Sequence, residues 1–255
     1  MEQTPTADSP IAAQPAAETE VVDVQPRIDE VERERAWLRA ATKLAEKKWF
    51  QIGIKMVHIA AGEFIYGDNK QRINLAEYWI AKTPVTNEQY KAFVNATGHR
   101  MPVHWNNGKI PAGKEHHPVV EVSWEDATAF CRWAGVALPS ERQWEKAARG
   151  TDGRKYPWGD AAPDKSRCNF GKSAGDTVPV EKHPIGASPY GLLNMAGNVW
   201  EWCADLVEKD KFRVLRGGAW FTSDKERLRC AARYGNFPHT GHNGLGFRVS
   251  YSPQP

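Results

Sequence analysis

The 255-residue chain has no apolar run of the roughly 18 residues that a membrane-spanning helix needs, so no helical span is expected. No Lys or Arg precedes an apolar stretch at the N-terminus, and no secretory leader is expected there. Surplus charge is scarce as well. A formal net charge of +3 is too small to call for nucleic acid as a partner. No phosphate-binding loop, dinucleotide glycine fingerprint or Ser-His-Asp arrangement is legible, and nothing after Gly150 reads as a long helix. What is abundant is 11 Trp together with 21 Gly and 17 Pro. That mixture points to a loop-rich fold pinned by aromatic anchors rather than to a helix bundle.

Residues 1–26 are rich in Ala, Pro and Thr and carry Glu2, Asp8, Glu18, Glu20 and Asp23 without a single basic residue. Such a stretch cannot bury enough apolar surface to offset its ordering entropy, so a disordered acidic arm is expected. An N-terminal helix is expected within 27–53. Val31, Leu38, Ala41, Leu44 or Ala45, and Trp49 recur at helical steps over 29–50, opposite Glu30, Arg33, Glu34, Lys43, Glu46 and Lys47. The main domain is expected over 54–255, with short strands at Met56–Ile59 and Glu63–Tyr66 flanking Ala60-Ala61-Gly62. Thr86, Ser123 and Ser140 each stand where an N-cap would open a helix, over Asn87–Asn95, to about Ala134, and over Glu141–Arg149. No fixed-period repeat is visible.

Within the main domain the segments Met56–Phe64, Thr83–Tyr90, Val122–Ala127 and Leu138–Glu141 carry a family signature. It continues through Tyr156-Pro157-Trp158-Gly159, Gly191–Trp202, Arg216-Gly217-Gly218-Ala219-Trp220 and Gly246-Phe247-Arg248. In this order the segments resemble the formylglycine-generating-enzyme (sulfatase-modifying factor) family over about residues 54–250. The resemblance implies an α+β, C-type-lectin-like fold, loop-rich with little regular structure. The family includes copper-dependent sulfatase activators, sulfoxide synthases, pseudoenzymes that regulate kinases, and the variable ligand-binding proteins of diversity-generating retroelements. Fold alone therefore does not choose a function. Read from below, Trp124, Trp144, Trp158, Trp200, Trp202 and Trp220 are expected as core anchors.

The activators place two cysteines shortly after the Arg-Gly-Gly motif, and two thiolates at that spacing hold a soft Cu(I) ion. In this chain Thr222 occupies the first cysteine's place and the second is absent, in a stretch that looks shortened. A hydroxyl is a poor Cu(I) ligand, so no copper is expected. Sulfoxide synthases need a His-rich iron-binding domain in front, and residues 1–53 contain no His. Cys131 and Cys230 match positions that form disulfides in secreted relatives, but their partners there correspond to Val249 and Ala148 here. They are expected as buried thiols; Cys168 and Cys203 are left free to pair or not. The missing bridges and leader together favour a reducing, cytoplasmic compartment. His116, His117, His239 and His242 remain as transition-metal candidates without a Cys or carboxylate at convincing spacing.

Calcium suits the chain better, as oxygen ligands suit a hard cation. The resemblance assigns it the side chains of Asn194 and Glu201 with the carbonyls of Gly197 and Val199. A weaker second site would use Asn169, Phe170 and Asp176. The expected function is a non-catalytic module that binds a protein or other macromolecular ligand through its C-terminal loops, as a variable protein or as a regulator of a partner such as a kinase. Its surface would be Phe221, Thr222, Ser223, Tyr234, Asn236, Phe237, His239, His242 and Asn243. The segment Gly235–Gly244 shows Gly and Pro punctuation and no helix or strand pattern, which places it at the surface. A metal-dependent oxidoreductase of the sulfatase-activating or sulfoxide-synthase type, with another metal arrangement, stands as the alternative.

Overall fold

The computed structural model describes Glu32, residues 49–207 and residues 211–253. Two compact units divide the chain between Arg39 and Ala40, and every described residue except Glu32 lies in the second. The acidic arm of 1–26 and most of the helix of 29–50 fall outside the described residues. Glu32 and residues 49–51 are helical, and Trp49 is buried, its ring 5.0 Å edge-on to Tyr251.

Three helices follow, and each opens with a complete capping box. Thr86 with Gln89 opens α1 (Asn87–Thr97), Ser123 with Asp126 opens α2 (Trp124–Ala134), and Ser140 with Gln143 opens α3 (Glu141–Arg149). In each, the cap hydroxyl accepts from the third residue's N–H and that residue's side chain returns the bond, so two orphan donors are satisfied locally. This is why the starts are readable in sequence. The end of α1 runs to Thr97 rather than Asn95.

The strands form three sheets. The first, ordered β1 (Met56–Ile59), β4 (Tyr78–Ala81) and β9 (Ser250–Tyr251), is antiparallel and joins the start of the domain to its C-terminal strand. β2 (Gly62–Tyr66) pairs with β3 (Gln71–Leu75) as a separate ribbon, so the two strands flanking Ala60–Gly62 do not pair with each other. The last sheet has the order β7 (Tyr234–Asn236), β6 (Phe212–Arg216), β5 (Trp200–Val207) and β8 (Leu245–Phe247), with β5 and β8 parallel. Strand β7 corrects the expectation that Gly235–Gly244 holds no strand. Three residues are too few to show an alternating pattern, and the pairing of Gly235 with Val214 is a tertiary contact.

Of the six tryptophans expected as anchors, Trp144, Trp200 and Trp202 are buried. Each removes about 200 Å² from water, on the order of 5 kcal/mol before ordering entropy is subtracted. Trp124, Trp158 and Trp220 are only half-buried, a correction to the expectation. Their indole N–H groups bond the carbonyls of Cys203, Ala161 and Asn243, and each side chain stays partly exposed. The guanidinium of Arg213 lies 3.8 Å over the ring of Trp124.

Candidate functional site

The site grows from the end of β6. Arg216 is buried there, with Nη2 2.8 Å from Glu145 of α3 and Nη1 donating to the carbonyls of Cys230 and Ala232. One side chain thus ties α3, β6 and the returning segment before β7. The chain then turns through Gly217 and Gly218, both at positive φ; a Cβ on Gly218 would lie 2.5 Å from Leu228 Cδ2. Thr222 follows. It is buried, its Oγ1 accepts from Ala219 N at 3.0 Å, and its carbonyl accepts from Gly171 N at 2.9 Å. Thr222 is therefore a turn-closing residue and does not face a ligand, which corrects its place in the expected binding surface.

The remaining surface residues form two groups. In the first, exposed Tyr234 stacks on Trp200 at 5.7 Å with the Arg227 guanidinium 5.3 Å over its ring. Exposed Phe237 packs against Phe212 at 4.6 Å and His239 at 5.5 Å. Asn236 Oδ1 accepts from Phe237 N at 2.9 Å and fixes the turn out of β7. In the second, Phe221 lies 5.3 Å from Trp220 and 5.9 Å from His242, beside exposed Ser223 and Asn243. Phe212, Trp220 and Arg227 belong to this surface too, over the buried Trp200. The sequence marked Trp200 and Trp220 only as anchors; their pairing with Tyr234 and Phe221 comes from the tertiary fold.

The histidine candidates diverge. His116 is exposed, whereas His117 is buried against Thr177 Oγ1 at 3.0 Å, and burial beside the Lys114 ammonium lowers its pKa to about 4, so the ring is neutral at physiological pH. His239 and His242 turn to different rings, Phe237 and Phe221. Among the described residues no three His, Cys, Asp or Glu side chains converge as metal ligands. All four cysteines are free and buried. Cys131 lies in the same core cluster as Val249, and Cys230 in the same second cluster as Ala148. Burial pushes every thiol up, that of Cys168 to about 12, and none presents a thiolate at neutral pH.

The turn expected to hold calcium is built tightly. Gly197 sits at φ 77 with a Cβ position 2.4 Å from the carbonyl oxygen of Asn169, a close approach that only glycine allows. Glu201 is fully buried; its Oε2 accepts from Trp144 Nε1 at 2.7 Å and Arg248 Nε at 2.6 Å, and its Oε1 accepts from Arg248 Nη2 at 2.8 Å. Asn194 Oδ1 accepts from Asn198 Nδ2 at 3.1 Å. Glu201 Oε1 and Asn194 Oδ1 each keep a lone pair, so the donor chemistry fits a hard cation, although Arg248 already offsets the carboxylate charge. In the second set Asp176 and Asn169 also have protein partners. Asp176 spends Oδ2 on Lys114 at 2.9 Å and Oδ1 on the N–H of Thr177 at 2.6 Å, while the Asn169 amide donates to the Asp176 carbonyl at 2.8 Å.

One further feature had no signature in the sequence. A cavity of about 310 Å³ opens beside Trp220 and Asn243, with Asn87, His104, Lys114, Glu121 and Asp176 among the residues lining it.

With this geometry in hand, residues 42–252 match the family described as "Sulfatase-modifying factor enzyme 1-like domain". The chain is similar to the serine/threonine-protein kinase Pkn1 of Chlamydia trachomatis, 36% identical over 238 residues. The match takes 77% of this chain and 38% of that relative, so the chain spans well under half the length of the chlamydial kinases it matches. It is also 30% identical to the inactive C-alpha-formylglycine-generating enzyme 2 of Bos taurus, across 84% of this chain and 94% of the other. Among solved structures it is similar to Treponema denticola variable protein 1, with a TM-score of 0.64 and 25% identity, covering 78% of this chain and 95% of that one.

Proposed function

The chain belongs to the sulfatase-modifying factor family, with its mixed helix-and-sheet, C-type-lectin-like fold, and on that premise we propose that it is a non-catalytic module that binds a protein partner. The observation that carries this reading is the aromatic face on β7 and the loop after it. Tyr234 is 50% exposed and Phe237 45% exposed, both in van der Waals contact with ordered rings beneath. Large aromatic side chains left half in water cost hydration free energy unless something covers them, and rigid aromatics are the side chains that most often anchor an interface. The family's copper position supports the same reading, since Thr222 is buried and its hydroxyl is committed to the turn. In the chlamydial relatives such a module is part of a longer chain named as a kinase, which favours a protein kinase as the class of partner for this one.

In a pull-down or titration with such a partner, Tyr234→Ala and Phe237→Ala are each expected to weaken binding by about 1–2 kcal/mol, roughly five- to thirtyfold. Melting temperatures should stay within the range of ordinary surface changes, about 0.5 kcal/mol in stability. Unchanged binding in both variants would move the interface elsewhere.

Calcium, proposed at the Asn194–Glu201 turn, would be held by Asn194 Oδ1, Glu201 Oε1 and the Gly197 and Val199 carbonyls, and would act on stability alone. Because Arg248 already balances Glu201, the expected gain is modest, a few degrees in melting temperature in millimolar calcium over chelator. Superimposable melting curves would remove calcium from this protein.

A further inference from the structure

The aromatic face carries charge that its ring contacts leave unmatched. Arg213 of β6 lies 3.8 Å over the ring of Trp124 and spends Nη1 on the carbonyl of Ala204 at 2.9 Å. Its Nε and Nη2 donate to nothing among the described residues, and no described Asp or Glu pairs with it. Arg227 reaches the same face from the short helical turn Lys225–Leu228, its guanidinium 5.3 Å over the ring of Tyr234. Asp224 is the one carboxylate paired with Arg227 among the described residues. It stands 3.6 Å from Nε, beyond hydrogen-bond reach, and both side chains are more than half exposed. An ion pair of that length and exposure holds its arginine only weakly.

Strand register gathers these groups. Across β6 and β7, Arg213 pairs with Asn236 and Leu215 with Tyr234. Directly opposed residues share one side of a sheet, and so do residues two apart along a strand. Arg213, Asn236 and Tyr234 therefore project together, with Cβ atoms roughly 5–8 Å apart. Asn236 spends Oδ1 on the N–H of Phe237 at 2.9 Å, which leaves both N–H bonds of its amide unused among the described residues. The Tyr234 hydroxyl also has no partner there, and that side chain is half exposed. The face thus offers two guanidinium groups, an amide and a phenol, all able to donate and all reachable from solvent.

Resting on the reading of this face as a protein-binding surface, we infer that the residue it takes from its partner is a phosphorylated serine or threonine. The phosphoryl oxygens meet the free N–H bonds of Arg213 and Asn236, with Arg227 on the far side of Tyr234. A phosphate monoester brings close to two negative charges and three acceptor oxygens. Donors arriving from two strands and a turn suit three oxygens set around phosphorus, whereas a planar carboxylate is satisfied by one guanidinium fork. Both arginines already rest against rings, so they lose less freedom on binding than solvated side chains do. Tyr234 and Phe237 then accept the apolar side chains flanking the phosphorylated residue. A nucleic-acid backbone fits less well. It binds through the summed charge of many phosphates, and a formal net charge of +3 exerts little pull on such a chain.

The test is an NMR titration of the full chain at low ionic strength with the acetylated, amidated pentapeptide Ala-Leu-phosphothreonine-Leu-Ala. Its unphosphorylated form, its glutamate form and an oligothymidylate serve as comparisons. The expected result is saturable binding of the phosphopeptide, about tenfold tighter than of any comparison ligand, weakened about tenfold by Arg213→Gln and severalfold by Arg227→Gln. The inference is overturned if the phosphopeptide does not bind, or if a comparison ligand binds as tightly. It is also overturned if no variant that keeps the wild-type melting curve weakens the phosphopeptide. Equal binding of the glutamate peptide would reassign the face to carboxylates, and equal binding of the oligothymidylate would reassign it to nucleic acid. No partner protein enters this titration, so its failure leaves the aromatic-face reading standing; that reading falls instead on normal partner binding by Tyr234→Ala and Phe237→Ala.

Discussion

An Arg248→Met variant is expected to lose about 3–5 kcal/mol of folding free energy, the range for removing one partner of a buried ion pair. Arg248 and Glu201 are both fully buried. The guanidinium meets the carboxylate in a fork at 2.6 and 2.8 Å and also bonds the carbonyls of Ala81 at 3.0 Å, Lys82 at 3.3 Å and Leu193 at 2.8 Å. One side chain therefore holds the end of β4, the turn at Leu193 and strand β5 together. Its removal leaves the Glu201 carboxylate without its countercharge and takes a donor from the carbonyls of Ala81 and Leu193, whereas the Lys82 carbonyl keeps the N–H of Leu193. Arg248→Lys keeps the charge and loses the planar fork, so it should fall between wild type and Arg248→Met. Removing both charges, as Arg248→Met with Glu201→Leu, should recover part of the loss. Urea denaturation measures all three. Since whole-domain stabilities run to about 5–15 kcal/mol, the single change should shift the midpoint severely. An unshifted midpoint for Arg248→Met would mean that the fork is not what holds these elements.

The second large effect is an absence of activity. The protein is expected to convert no cysteine of a sulfatase peptide to formylglycine, with or without Cu(I), by mass spectrometry of the peptide. Thr222 stands where the resemblance places the first copper cysteine, with its hydroxyl turned into the turn. The nearest cysteine in sequence, Cys230, is fully buried, its thiol pushed up by desolvation and its carbonyl bonded by Arg216. Thr222→Cys alone should therefore restore nothing, because a single thiolate does not hold Cu(I) as a pair does. Product from protein free of contaminating enzyme would restore the oxidoreductase reading and end the non-catalytic one.

Much of this protein was determined by the sequence acting locally. Thr86, Ser123 and Ser140 start their helices because a cap needs only a hydroxyl and a partner three residues on. That Thr222 stands where the resemblance places the first copper cysteine was legible because it turns on the identity of one side chain. The family was legible because its motifs are contiguous words such as Gly191–Trp202. Tertiary structure decided the rest. Strand β7 exists because Tyr234–Asn236 lies against β6, and that pairing brings Tyr234 onto Trp200 and sets Phe237 against Phe212. Thr222 left the binding surface because the turn needed its hydroxyl. The cavity drew Asn87, His104, Glu121, Asp176 and Trp220 from segments far apart in the chain. Local hydrogen bonds are written at fixed spacing, whereas burial and charge matching are settled only when distant segments meet.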